Sequence, residues 1–273
     1  MARRSRRRRR SSGGSHVVGI VLIVVALAAL GGLGAFYFLT PKPPALDRAT
    51  LCPLTGPRGV TVVLVDASDA LPDVTRAEIT TKIEDMAKAL PPYDLLELRL
   101  LDPGSAGGKV VFSRCNPGDG KGASEFTANP ELLKHRWEAD FSAPLEKALS
   151  GGLALDQSET SPIIATIQEI AVQRFAGAAN EAIPKHLVVV SDMLENAPGY
   201  SQYKGDLTYE RFRASPVYRK LHTDLDGAEV TILYVQRKSG KKFDDAAHIK
   251  FWTDWIDDNG GRLDAAERLQ GEG

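Results

Sequence analysis

The chain has 273 residues, 43% hydrophobic and 25% charged, enough for one good globular core with some extras. Its net charge of -1 conceals an asymmetry: seven arginines lie in the first ten residues, leaving 27 basic against 35 acidic residues elsewhere. No nucleic-acid partner is expected, because the segment after the arginines explains them better.

Val17 to Leu39 reads VVGIVLIVVALAALGGLGAFYFL, 23 residues without a charge. At ~1.5 Å per residue this spans a hydrocarbon core of ~30 Å. Phe36, Tyr37 and Phe38 stand at the far end, where aromatic rings favour the interface. The arginines, Arg3 to Arg10, place the N-terminus in the cytoplasm and meet anionic lipid there. A retained single-pass anchor in the inner (plasma) membrane is expected, with the remainder periplasmic or extracellular. The alternative is a cleaved signal with a processing site at Ala26-Leu27-Ala28. A basic tail (1–16), the anchor (17–39) and a proline-rich stalk (40–50) would then precede one domain, 51–273. Two cysteines, Cys52 and Cys115, predict one disulfide in a translocated domain, against the alternative of two free thiols.

The domain alternates strand and helix signals. VTVVLVD (60–66) is a continuous β-branched run, expected of a strand covered on both faces. Asp73 is read as the cap of a helix through Leu90, and DLLELRLLD (94–102) and KVVFSRC (109–115) as antiparallel neighbours. Asn129-Pro130 opens a helix ending at Gly151-Gly152, and Ser161-Pro162 opens another running to Phe175. KHLVVVSDM (185–193) is a second buried strand, delivering Asp192. A polar, Tyr-rich segment (194–209) leads to a helix expected around 215–224. AEVTILYVQR is the next strand, DDAAHIKFWTDWIDD an amphipathic helix, and RLDAAERL a short last strand.

The pattern predicts an α/β three-layer sandwich: a mostly parallel sheet, one antiparallel edge strand and helices on both faces. Asp66 and Asp192 both end buried parallel strands, so both reach the carboxyl edge, where ligands bind in such folds.

The order strand–DASDA–helix, hairpin, TSPIIATI helix, strand–VVVSDM resembles a von Willebrand factor A domain over nearly all of 57–270. The resemblance implies a metal-ion-dependent adhesion site of pattern Asp-x-Ser-x-Ser, a distant Thr and a distant Asp. The matching positions are Asp66, Ser68, Ser161 (with Thr160 as fallback) and Asp192. Ala70 replaces the second Ser, and Met193 stands where a Gly often follows the last Asp. Mg²⁺ takes about six hard oxygen donors, and Ala70 supplies none. Asp69 is one residue out of register to replace it. The implied cofactor is therefore Mg²⁺ or another divalent cation, and a degenerate, hydrogen-bonded site is the open alternative. The same architecture puts Cys52 and Cys115 at the lower edge of the sheet, within reach of a disulfide if Pro53–Pro57 folds across it.

Tyr200, Tyr203 and Tyr209 in the long segment after Asp192 are candidate partner contacts. His135 and His248 read as ordinary helix residues. NPGDGKGAS lacks phosphate-loop spacing, and no nucleophile elbow or His-Glu-x-x-His motif occurs. The expected function is a membrane-anchored, exported module that binds a protein partner through the carboxyl edge, scaffolding an envelope or secretion-type assembly. The alternatives are a Mg²⁺-dependent phosphohydrolase using Asp66 and Asp192, and a metal-free structural envelope subunit.

Overall fold

The computed structural model of the chain describes residues 13–39, 43–66, 68, 71–122, 128–152, 158–204, 207–235 and 245–269. The chain divides into two compact units between Pro44 and Ala45. The first holds one helix, α1 (Gly13–Leu39), whose stretch Val17–Leu39 is long and apolar enough to cross a membrane and has no buried residue in its apolar window.

The second unit is the α/β sandwich. Its sheet contains β1 (Val60–Val65), β2 (Leu95–Leu100), β3 (Lys109–Cys115), β4 (Lys185–Ser191), β7 (Glu229–Tyr234) and β8 (Arg262–Arg268), in the order β3-β2-β1-β4-β7-β8. All neighbours are parallel except β2 and β3. β1 is buried at every position because both faces are covered. Val60, Val62 and Leu64 pack with α5 (Ile163–Ile170), α6 (Tyr209–Arg213) and α8 (Asp245–Asp258). Val63 and Val65 pack with α2 (Asp73–Ala89) and α4 (Ala143–Gly152). Alternating side chains of one strand thus feed two cores, as period-two geometry requires.

Several local expectations change. Asp73 is the first helical residue of α2, not its cap. Pro72 holds the capping position with an extended backbone, and Asp73 pairs with Arg76 at 3.2 Å. Asn129 does cap α3 (Pro130–Trp137), accepting from the Leu132 amide, and one π turn joins α3 to α4. The helix expected around 215–224 is shorter than that range, one turn, α7 (Tyr218–Leu221), and a separate helix, α6, precedes it. The two are separated at Pro216, which disfavours helix in the residue before it. The polar segment before them is structured too: β5 (Asn196–Ala197) and β6 (Tyr200–Ser201) form a hairpin around Pro198-Gly199. Gly199 adopts φ +96°, the conformation a Pro-Gly turn needs at its second centre.

The chain enters this unit at the amino edge of the sheet. Leu46 bridges Pro53, and Asp47 Oδ1 accepts from the amides of Ala49 and Thr50 and from the Thr50 hydroxyl. The Cys115 amide donates to Thr50 O, and Cys52 and Cys115 form a disulfide with Cα atoms 4.8 Å apart. Residues 45–50, the latter part of the expected stalk, therefore fold with Cys52 into a clasp against β3.

Candidate functional site

The strand order reverses between β1 and β4, which lie side by side with Val65 opposite Val190. A crevice opens at the carboxyl ends of strands at such a switch point. Asp66 follows β1 and Asp192 follows β4, so the two carboxylates share this rim. Both are buried.

Asp66 is the centre of a hydrogen-bonded cluster. Its amide donates to Val190 O at 2.8 Å, extending the ladder by one residue. Its Oδ1 accepts from the Ser68 amide at 3.0 Å. Its Oδ2 accepts from Ser161 Oγ at 2.9 Å and Ser191 Oγ at 2.8 Å. Ser191 Oγ also accepts from the Met193 amide at 2.8 Å. Of the two alternatives at 160–161, Ser161 is therefore the residue on Asp66. The Thr160 side chain lies near Ser158 Oγ, at 3.5 Å. Ala70 and Asp69 lie outside the described residues.

Asp192 Oδ1 accepts from the Leu194 amide at 2.9 Å. Burial pushes its pKa up to about 7, and the charge on Asp66 adds to the rise. Met193, in the place where glycine was expected, keeps a glycine-like φ of +60°. Its buried side chain and the bond from Trp252 Nε1 to its carbonyl, 2.9 Å, hold that conformation.

The rim also contains residues the sequence did not single out. Glu195 and Gln202, in the supposed polar loop, are fully buried. Glu195 Oε2 accepts from the Ile164 amide at 2.8 Å, at the start of α5, where Pro162 offers no side-chain cap. The Glu195 amide donates to Gln202 Oε1 at 2.9 Å. His248 Nε2 lies 3.2 Å from the same oxygen, and its Nδ1 bonds Tyr234 OH. The only readable hint was the Ser161-Pro162 helix start without a capping side chain.

The three tyrosines separate. Tyr203 is 40% exposed, and burial with the charges of Asp192 and Asp66 raises its phenol pKa, so it sits near the acids. Tyr200 is half-buried and packs on Phe212 with ring centroids 4.7 Å apart. Tyr209 is a core residue of α6, its hydroxyl donating to Asp258 at 2.7 Å, so it offers no contact surface.

Whether these residues fit Mg²⁺ follows from the donor set. Two carboxylates and the hydroxyls of Ser68 and Ser161 are hard oxygens, the kind that ion selects. Ser161 donates its proton to Asp66, yet a hydroxyl keeps lone pairs for a cation. Burial is the main cause of the raised Asp192 pKa, and the smaller repulsion from Asp66 that adds to it is the kind a dication relieves. The set fits, thinly: among the described residues no three His, Cys, Asp or Glu side chains converge on one point.

Fold and site together define an open, mostly parallel α/β sandwich with a buried cluster of carboxylates and hydroxyls at its switch point, preceded by an apolar helix. No family model matches the chain, and no curated protein does. Among solved structures, the chain is similar to an aerotolerance-related membrane protein from Bacteroides fragilis carrying multiple mutations to serines. Identity is 11% and the TM-score 0.36, covering 78% of this chain and 92% of that one. That likeness is too distant to assign a function.

Proposed function

We propose that the chain is a membrane-anchored, exported protein-binding module of the von Willebrand factor A type. It docks a protein partner on the carboxyl rim of its sheet and scaffolds an envelope or secretion-type assembly. The observation that supports this is the meeting of Asp66 with Ser161 and Ser191, 95 and 125 residues away in sequence, beside Asp192. The terminal arginines hold the N-terminus in the cytoplasm and put the sandwich on the periplasmic or extracellular side. The chain enters the sandwich at the amino edge, so the rim lies a strand length away, about 20 Å.

Asp66, Ser68, Ser161 and Asp192 would hold Mg²⁺, which supplies a Lewis acid that a partner carboxylate can ligate. Tyr203 stands at the mouth as a contact residue. The reading is of a binding module rather than an enzyme, because Ser161 and Ser191 are buried and both donate to Asp66. A metal-free rim is the second reading, favoured by the hydrogen bonds Asp66 already accepts from Ser68, Ser161 and Ser191.

The test is affinity capture from solubilised membranes with the full chain, with and without EDTA, alongside Mg²⁺ calorimetry in detergent micelles. Capture and magnesium heat both lost in Asp66→Ala support the metal-dependent module. Capture that survives EDTA but fails in Tyr203→Ala supports the metal-free rim. Capture unchanged in both variants, or aryl phosphate turnover abolished by Asp66→Asn, overturns the binding reading.

A further inference from the structure

Glu195 is outside the proposed ion-binding set and buried beneath the rim, yet it joins three elements. Its carboxylate oxygen Oε2 takes the Ile164 amide at the start of α5, two residues after Pro162 and three after Ser161. Its own amide and carbonyl hold Gln202, through Gln202 Oε1 at 2.9 Å and the Gln202 amide at 2.9 Å. The next residue, Asn196, exchanges both backbone hydrogen bonds with Ser161, at 2.8 and 3.0 Å. The Ser161 that bonds Asp66 is therefore positioned by the segment Glu195–Asn196. Gln202 in turn meets His248 of α8, and His248 meets Tyr234 of β7.

Among the described residues, the second oxygen, Oε1, is buried without a hydrogen-bond partner, and so is Gln202 Nε2. An ionised carboxylate here would leave that oxygen desolvated and would face the charge of Asp66. The amide dipoles at the start of α5 favour an anion, but by much less than an unpaired buried charge costs. The neutral acid wins.

We infer that Glu195 is a positioning residue of the proposed binding rim: as a neutral acid it clasps the start of α5 to the β5–β6 hairpin, and loss of its proton loosens that clasp. This rests on the rim being the binding surface, and gives that surface a regulation by alkaline pH. Burial, with the charge of Asp66 adding to it, raises the Glu195 pKa to about 8 despite the bonds from α5. Among the described residues, Asp66 is the charge that acts on it; Asp192 lies three residues before it in sequence and Tyr203 follows Gln202. Through Gln202 it also meets His248 and Tyr234.

The test is hydrogen–deuterium exchange of the full chain in lipid nanodiscs, without metal or partner, from about pH 6 to about pH 9, corrected for intrinsic exchange. Protection of residues 161–166 and 195–202 should fall about tenfold in the wild type, with a midpoint near 8. It should stay level in Glu195→Gln, which keeps an acceptor for Ile164 but cannot ionise. Infrared spectra of chain labelled with ¹³C-glutamate provide a check that needs no variant: a neutral carboxyl band should vanish over the same range. Level protection in the wild type, an unchanged profile in Glu195→Gln, or no neutral glutamate band overturns the inference. None of these results depends on magnesium or a partner, so the clasp can fail while the binding module stands, and the reverse.

Discussion

Glu97 and Glu195 are both fully buried, and their surroundings give them opposite charge states. Glu97, on β2, accepts from Arg99, from Ser113 and twice from Arg174. Burial opposes its charge, but Arg174, Ser113 and Arg99 outweigh that and hold its pKa below the ordinary value. Arg99 also donates to Gly107 O and to Gln173, so the network staples β2 to the turn after α5. Glu97→Ala leaves Arg99 buried without its counter-charge and should cost about 3–5 kcal/mol, measured by urea unfolding. The two acids also pull stability in opposite pH directions. Glu97, depressed when folded, stabilises above its unfolded pKa, and that contribution is lost as pH falls through the folded value. Glu195, raised from 4.5 to about 8, binds a proton in the folded chain that the unfolded chain releases between those values. Its contribution is therefore complete below 4.5 and lost as pH rises toward about 8. The urea midpoint should decline across that window in the wild type and decline less in Glu195→Gln.

At the scale of elements, the clasp at the amino edge is held by one covalent link. The cysteines are 63 residues apart, a loop whose closure stabilises by about 4 kcal/mol in the chain-entropy model. Cys52→Ser with Cys115→Ser should lower unfolding stability by about 2–4 kcal/mol, read by denaturant titration under identical buffer. The main strands were legible because β1, β4 and β7 are unbroken apolar or β-branched runs, and the Asn129-Pro130 start was legible because its cap is local. The β5–β6 hairpin was not: two-residue strands are too short for any period to register, although Pro198-Gly199 marked the turn. The cap of α5 was equally hidden, because its acceptor, Glu195, lies 31 residues downstream of the amide it serves. Asp66 and Asp192 could be placed on one rim from sequence, since both end buried parallel strands. The hydroxyl partner Ser191 could not, because its role depends on register: Val65 faces Val190, which puts Ser191 opposite Asp66.

For the molecule as a whole, the boundary between Pro44 and Ala45 separates an apolar helix from a unit with its own two cores. Deleting residues 1–42 should release the sandwich into the soluble fraction with its cooperative unfolding intact, checked by fractionation and thermal denaturation. Loss of folding in that truncation would show that the helix contributes to the core. The last strand carries a practical corollary. β8 runs parallel to β7, so Leu269 leaves the sheet on the side where Asp66 and Asp192 sit. A purification handle or fluorescent reporter fused directly after Leu269 would start at that same edge, two strands over from Asp192, and crowd whatever binds there. Labels for interaction assays belong at the opposite terminus.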